Sequence, residues 1–358
     1  MTTTLEINRA DQSRTRIVDD EASLAEGQVL ARIDHFALTS NNITYAVIGH
    51  MMGYWNFFPT DDESWGRVPA FAHARIVESR CAGVDEGTRI YGYFPMASHV
   101  VLEPGRINEH AFHDMAAHRQ PMAEVYNRYT RTAADPLHRD DREEQRMLLH
   151  PLFMTAFVID DFFEDNDDFG ATTAIVSSAS SKTAIGVAHL MAKRDGIRTV
   201  GLTSAANLAF AGSLGCWDQL VTYEEVGSLA TEPAVYIDIS GSGTVKQAVH
   251  HHFGADLTYS STVGATDWGD MGGGGDEPLP GPSPELFFAP TQIAKRNQEW
   301  GREEMERRLA DAFFAYSDWT DGWMTIERHQ GADAAAALWT EMLPGRIDPT
   351  VGHIVSIG

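Results

Sequence analysis

Between Thr172 and Gly241 short apolar runs alternate with helical segments, and this alternation restricts the fold more than any other feature of the chain. The order is TTAIVSSA, a turn of small residues, TAIGVAHLMAKRDG, RTVGLTS, NLAFAGSLG, QLVTY and AVYIDIS. Runs of this kind have no polar face. They predict parallel strands covered on both sides by helices, a doubly wound α/β sheet.

The first turn of that unit reads Ser177-Ser178-Ala179-Ser180-Ser181-Lys182-Thr183-Ala184. In a Rossmann unit this turn must be built of small residues, so that backbone N–H groups and the helix N-terminus can receive a pyrophosphate. Ser178, Ala179, Ser180, Ser181, Lys182 and Thr183 are therefore the candidate cofactor-binding residues, with Thr183 placed to cap the helix. The glycines of G-x-G-x-x-G fall on Ala179, Ser181 and Ala184, so the fingerprint itself is missing. A plain serine-rich cap with Lys182 in water is the competing reading of the same residues. The next strand ends Gly201-Leu202-Thr203-Ser204, with no acid of the sort that binds a ribose 2′-hydroxyl. Thr203 and Ser204, with Lys182 to supply charge, suit a 2′-phosphate, and NADP(H) is favoured over NAD(H). The later strand end Asp238-Ile239-Ser240-Gly241 is expected to bring Ser240 and Gly241 to the nicotinamide side.

The first hundred residues have a different texture. QVLARIDHFALTS, RVPAFAHARIVES and TRIYGYFPMASHVVLEP alternate and are rich in β-branched residues, which predicts a compact β-rich domain. From Gly105 to Asn166 the spacing and charge predict a helical insertion whose charge runs are solvated helix faces. The Gly- and Pro-rich run after Gly264 predicts a surface loop. It is followed by one long helix QIAKRNQEW to AYSDW, an Ala-rich helix and a last strand HIVSIG that rejoins a sheet. The expected domains are 1–150, 151–265 for the nucleotide-binding part, and 266–358 returning to the first.

Composition narrows the class of partner. With 51 acidic against 27 basic residues the formal charge is −24, which disfavours nucleic acid and anionic membranes. The two cysteines, Cys81 and Cys216, are too few for a disulfide framework or a cysteine zinc site. The chain starts without an apolar leader and contains no membrane-length apolar run, so a cytoplasmic protein acting on a small molecule is expected.

The order of these parts resembles the medium-chain dehydrogenase/reductase superfamily, in which a GroES-like β-rich domain surrounds an inserted Rossmann domain. ALTSNNITYAVIGHMMGYW, RVPAFAHARIVESRCAGVDEGTRIYGYFP and SSASSKTAIGVAHLMAKRDGIRTVGLTSAANLAF look like its successive landmarks. The closest match is to an uncharacterised bacterial family catalogued as domain of unknown function 2855. Zinc-containing members carry a cysteine and a GHE motif where this chain has SNNITYA and Ala70-Phe71-Ala72, so no metal is expected there. The resemblance implies a zinc-free quinone or enoyl reductase, with Asn42 and either Tyr45 or Tyr54 as the candidate catalytic residues; it also implies a homodimer. The aromatic run YWNFFP around Tyr54 reads equally as core.

Other candidates carry bland readings. Arg119, Tyr126 and Arg128 could meet an acidic substrate but read better as packing and ion pairs. His250-His251-His252 cannot converge on one metal from a helix, and His35, His50 and His99 look isolated. The function expected is NADPH-dependent reduction of an activated C=C or C=O, the alternative being a non-catalytic nucleotide-binding or regulatory protein on the same fold.

Overall fold

The computed structural model describes residues 1–263, 279–345 and 347–358. The chain forms two compact units, the first from Met1–Leu148 with Met324–Gly358 and the second from Leu149–Trp323. Each has its own core. The expected segment 266–358 is thus divided, since residues up to Trp323 pack with the second unit. Among the described residues no helix is long and apolar enough to cross a membrane.

The first unit is β-rich. Val29–Leu38 and Pro69–Ser79 pair antiparallel, Arg89–Pro95 joins Pro69–Ser79, and the closing strand Val351–Ser356 pairs antiparallel with Val29–Leu38. The last strand therefore rejoins a sheet, as its apolar alternation suggests. Leu5, Val29, Phe36, Trp55, Ile90 and Trp339 lie in one core, so Trp55 of the YWNFFP run is a packing residue.

The stretch 105–142 is not a helical insertion. Ala111–Asp114 and Arg128–Arg131 extend the sheet antiparallel from Arg89–Pro95, and only single helical turns lie between them. Burial overrides the helical texture here: Phe112 and Tyr129 are fully buried, and the Tyr129 hydroxyl donates to the Tyr93 carbonyl at 2.7 Å. The long helix starts only at Glu143 and runs to Asp165. Its charged start is no solvated face, because Arg146 is buried and paired with Asp135.

The second unit carries the parallel sheet. Its strands are β1 (Thr173–Ser177), β2 (Arg198–Thr203), β3 (Gln219–Thr222), β4 (Ala234–Asp238), β5 (Leu257–Thr262) and β6 (Glu285–Leu286). Helix α1 (Lys182–Met191) follows β1, α2 (Leu208–Ser213) follows β2, and α3 (Gly243–Phe253) follows β4. All pairings are parallel and the spatial order is β3-β2-β1-β4-β5-β6. The order reverses between β1 and β4, which makes their C-terminal ends the switch point of a Rossmann sheet.

The run expected as one helix after residue 290 is two, Ala289–Glu299 and Arg302–Thr320, because Gly301 sits at φ +85° and breaks the hydrogen-bond ladder. Most of the Gly- and Pro-rich run, 264–278, lies outside the described residues. Just beyond it, Gly281 at φ +81° brings its Cα side against the Gly254 carbonyl, where an added Cβ would stand 2.5 Å away.

Candidate functional site

In the second unit, β1 is buried along its whole length and delivers Ser177 to the switch point. Ser178 then adopts φ +59°, a left-handed conformation that L side chains rarely take. Here the turn demands what a glycine would supply, and it does so at Ser178, one residue before Ala179, the buried residue on which the fingerprint spacing sets the first glycine. The Ala179 N–H donates to the Leu202 carbonyl at 2.9 Å, tying the turn to β2. Gly201 on β2 makes room for it, since a Cβ there would stand 2.8 Å from that of Ala179.

Ser181 caps α1, its hydroxyl accepting from Ala184 N–H at 3.3 Å, so the cap falls on Ser181 where sequence spacing put Thr183. The Ser181 N–H in turn donates to the Ser178 carbonyl at 2.7 Å, closing the turn. Ser178, Ser180, Ser181, Lys182 and Thr183 are all half-buried around it. The first turn of a helix leaves N–H groups without intrahelical partners, and with the macrodipole these favour an anion. Thr203 is buried at the end of β2, Ser204 is half-buried beside it, and the following Ala205-Ala206-Asn207 turn contains no acid.

The neighbouring β4 end holds a network that sequence reading did not single out. Asp238 is fully buried, and its Oδ1 accepts from Ser177 Oγ (3.0 Å), Tyr236 OH (3.2 Å), Ser240 Oγ (3.0 Å) and Gly241 N–H (2.9 Å). Its Oδ2 faces Lys246 Nζ of α3 at 3.2 Å. Ser177 Oγ also accepts from the N–H groups of Ile239 (2.9 Å) and Ser240 (3.0 Å). The network fixes both strand ends at the switch point. Ser240 is therefore engaged within the fold, while Gly241 follows at φ +69°.

In the first unit the helix Ser40–Val47 carries Asn42 and Tyr45. Asn42 is buried, its Oδ1 accepting from Thr39 N–H (2.7 Å) and Thr39 Oγ1 (3.0 Å) and its Nδ2 donating to the Pro69 carbonyl (2.8 Å). Both ends of the amide are thus spent, Oδ1 on capping the helix at Thr39 and Nδ2 on anchoring it to the Pro69–Ser79 strand. The Tyr45 ring lies 4.5 Å from that of Tyr54, tilted by 32°, and meets Tyr93 edge-on at 5.9 Å, and Tyr126 lies 4.7 Å from Tyr93 and 6.4 Å from Tyr54. Phe57, Phe58 and Phe71 complete this cluster. Burial, then the neighbouring phenols, raises Tyr45 and Tyr54 well above the ordinary phenol range. Both stay protonated near neutral pH, so they can donate a hydrogen bond or proton but not act as bases.

Arg119 is buried, donates to Asn127 Oδ1 (2.8 Å) and the Tyr126 carbonyl (2.7 Å), and packs 5.0 Å from the Phe57 ring, the packing role expected of it. The histidine run on α3 does diverge: His250 bridges the Pro280 carbonyl (2.8 Å) and Ser260 Oγ (2.9 Å), whereas His252 reaches the Leu229 carbonyl (2.8 Å). His35 is not isolated. Strand register sets it opposite His73, with their rings 6.1 Å apart.

Comparison with known proteins fits this architecture. No protein with a curated description matches the chain. Among solved structures, CurA of Vibrio vulnificus in complex with NADPH is 13% identical, with a TM-score of 0.59 over 100% of this chain and 99% of that one. The quinone oxidoreductase of Coxiella burnetii is 12% identical, with a TM-score of 0.59 over 100% and 99%. A mutant enoyl thioester reductase of Candida tropicalis is 9% identical, with a TM-score of 0.56 over 99% and 99%. At these identities the likeness is one of fold, and it is the fold that the GroES-like and Rossmann landmarks imply. Residues 36–348 match the family described as "Protein of unknown function (DUF2855)", and the chain belongs to that family.

Proposed function

We propose that the chain is an NADP(H)-dependent oxidoreductase that reduces an activated C=C or C=O of a small molecule. The observation that carries this reading is the left-handed turn at Ser178, set at the switch point of the parallel sheet and closed by Ser181 at the start of α1. A turn of that shape, packed against a glycine of the next strand, is what a pyrophosphate requires at this place. The binding of NADPH by CurA, which shares the fold, supports the same assignment.

When bound, NADPH supplies the hydride. The chain's own residues bind and orient. Ser178, Ala179, Ser180, Ser181, Lys182 and Thr183 hold the phosphates, and Thr203 and Ser204 face the adenosine ribose, where the lack of an acid tolerates a 2′-phosphate. Ser240 and Gly241 shape the nicotinamide side. Tyr45 or Tyr54 supplies the proton, and Asn42 positions the helix that carries Tyr45. The cysteine and GHE positions of zinc-containing relatives hold SNNITYA and Ala70-Phe71-Ala72, so the reaction is assigned no metal at those positions. We assign the protein to the cytoplasm as a homodimer, as is common for this fold.

Fluorescence titration with NADPH and NADH, followed by loss of reduced-nicotinamide absorbance with a panel of quinones and enones, tests the reading. NADPH is expected to bind more tightly than NADH and to be consumed. Tyr45→Phe is expected to lower turnover by at least about tenfold at unchanged nucleotide affinity. Failure to bind either nucleotide would overturn the proposal, and binding without turnover would leave a regulatory nucleotide-binding protein.

A further inference from the structure

The strands Val29–Leu38 and Pro69–Ser79 set His35 and His73 opposite each other, and the segment leading into the long helix brings His138 and Glu143 to the same place. His73 Nδ1 lies 3.8 Å from Glu143 Oε1, His138 Nε2 lies 3.6 Å from the same oxygen, and His35 Nε2 lies 3.7 Å from Glu143 Oε2. The ligand atoms of His73, His138 and Glu143 all fall within 4.8 Å of one another.

His73 is fully buried, yet neither ring nitrogen has a hydrogen-bond partner. A buried polar group left in that state is destabilising, and such groups point to a missing partner. His35 Nε2 is likewise buried without one. Two imidazoles converge on Glu143 Oε1 and a third approaches Oε2, none of them within hydrogen-bond distance, and a cation set among them would take up the ring lone pairs.

We propose that His73, His138 and Glu143 form a site for a divalent first-row transition metal of the Zn²⁺ class, with His35 beside it at the second carboxylate oxygen. Ligand atoms about 2.1 Å from a tetrahedral Zn²⁺ stand about 3.4 Å apart, so the 3.6–3.8 Å separations between the imidazole nitrogens and the Glu143 oxygens need to close by only a few tenths of an ångström. Imidazole and carboxylate donors suit Zn²⁺, Co²⁺ or Ni²⁺ and not Ca²⁺ or Mg²⁺, which take all-oxygen shells.

The surroundings support the set. Arg89 donates to both oxygens of Glu143 at 2.7 and 3.0 Å, which orients the carboxylate while leaving a lone pair on each oxygen for the metal. The nearby cations are already compensated, Arg89 by Glu143 and Asp34 and Arg146 by Asp135. His138 Nε2 lies 3.0 Å from Asp140 Oδ1, but that carboxylate is exposed and can exchange the bond for water. His73 lies beyond Ala72, and neither His138 nor Glu143 falls in the SNNITYA or Ala70-Phe71-Ala72 segments, so the site is separate from the zinc positions of the superfamily. It ties two strands to the start of the long helix.

The test is metal binding by the full chain after stripping with a chelator. Zn²⁺ competed against a chromophoric chelator is expected to bind at about one equivalent. Co²⁺ is expected to give the visible d–d absorption of a four- or five-coordinate N/O site. His138→Ala and Glu143→Gln are expected to weaken binding by at least about 100-fold, and His35→Ala by about tenfold, with far-ultraviolet circular dichroism unchanged. The half-exposed group Glu327, His329 and His353 is the control. His353→Ala is expected to leave affinity unaltered, and loss of binding in that variant alone would overturn the assignment. So would failure of the stripped protein to take up Zn²⁺ or Co²⁺. None of these readouts depends on nucleotide or turnover, so they stand apart from the reductase reading.

Discussion

Lys182 sits at the first position of α1, behind the Ser178 turn, and its ammonium is the one basic side chain in the Ser177–Ala184 segment. If it compensates the 2′-phosphate, Lys182→Ala weakens NADPH by about 10- to 100-fold and NADH by much less, because a charged hydrogen bond contributes about 1.5–3 kcal/mol and NADH lacks that phosphate. Equal losses measured by titration would move Lys182 to the shared pyrophosphate. A second residue-scale effect concerns acidity. Burial, then the charge of Lys193, lowers His189 to about 4, and its ring packs 4.6 Å from Trp319 and 5.3 Å from Tyr316. The unfolded chain takes up a proton there near the ordinary histidine value, while the folded chain does not. Stability from this group is therefore full above about pH 6.5, falls as the pH drops toward about 4, and is level below that. His189→Gln is expected to lose less stability between pH 7 and pH 5 than the parent in urea denaturation; an identical loss would show that other groups set the acid limb.

At the scale of elements, Gly186 shows how α1 is seated. A Cβ there would stand 2.8 Å from the Cβ of Ala156 on the Glu143–Asp165 helix and 3.6 Å from the Phe153 ring. In an exposed helix Gly→Ala gains up to about 1 kcal/mol of propensity, but overpacking costs about 1–3 kcal/mol. Overpacking wins, and Gly186→Ala is expected to lower the urea midpoint; a raised midpoint would mean that the helices separate freely. The same elements show what could be read from the sequence. The β1–α1–β2 order was legible because all-apolar runs and helical periods carry their own signature. The turn was only half legible: small residues announced it, but which one turns left-handed is decided by the Ala179 bond to Leu202, a tertiary contact. The strands between Ala111 and Arg131 were hidden by charge-rich spacing that burial of Phe112 and Tyr129 overrides. His35 and His73 lie 38 positions apart, and only strand register makes them neighbours. The Asp238 network was hidden for a similar reason, since Ser177 and Asp238 meet across adjacent parallel strands.

At the scale of the whole molecule, the chain has two cores that belong to different stretches of sequence, the first closed by residues from both ends of the chain. The proposed nucleotide loop lies in the second unit, and the proposed metal cluster in the first. A ligand that binds only the folded state stabilises the unit that holds its site by about 2.7 kcal/mol at a hundred times its Kd. For a unit of this size that is a shift of roughly 5–10 °C in Tm. Calorimetry of the intact protein is therefore expected to show an unfolding profile in which NADPH and Zn²⁺ move different parts. NADPH should raise the transition reported by Trp217 and Trp323 of the second unit, and Zn²⁺ that reported by Trp55 and Trp339 of the first, followed with single-tryptophan variants. If both ligands move every probe equally, the two cores unfold as one cooperative body. If NADPH moves only the probes of the first unit, the nucleotide site is not at the Ser178 turn.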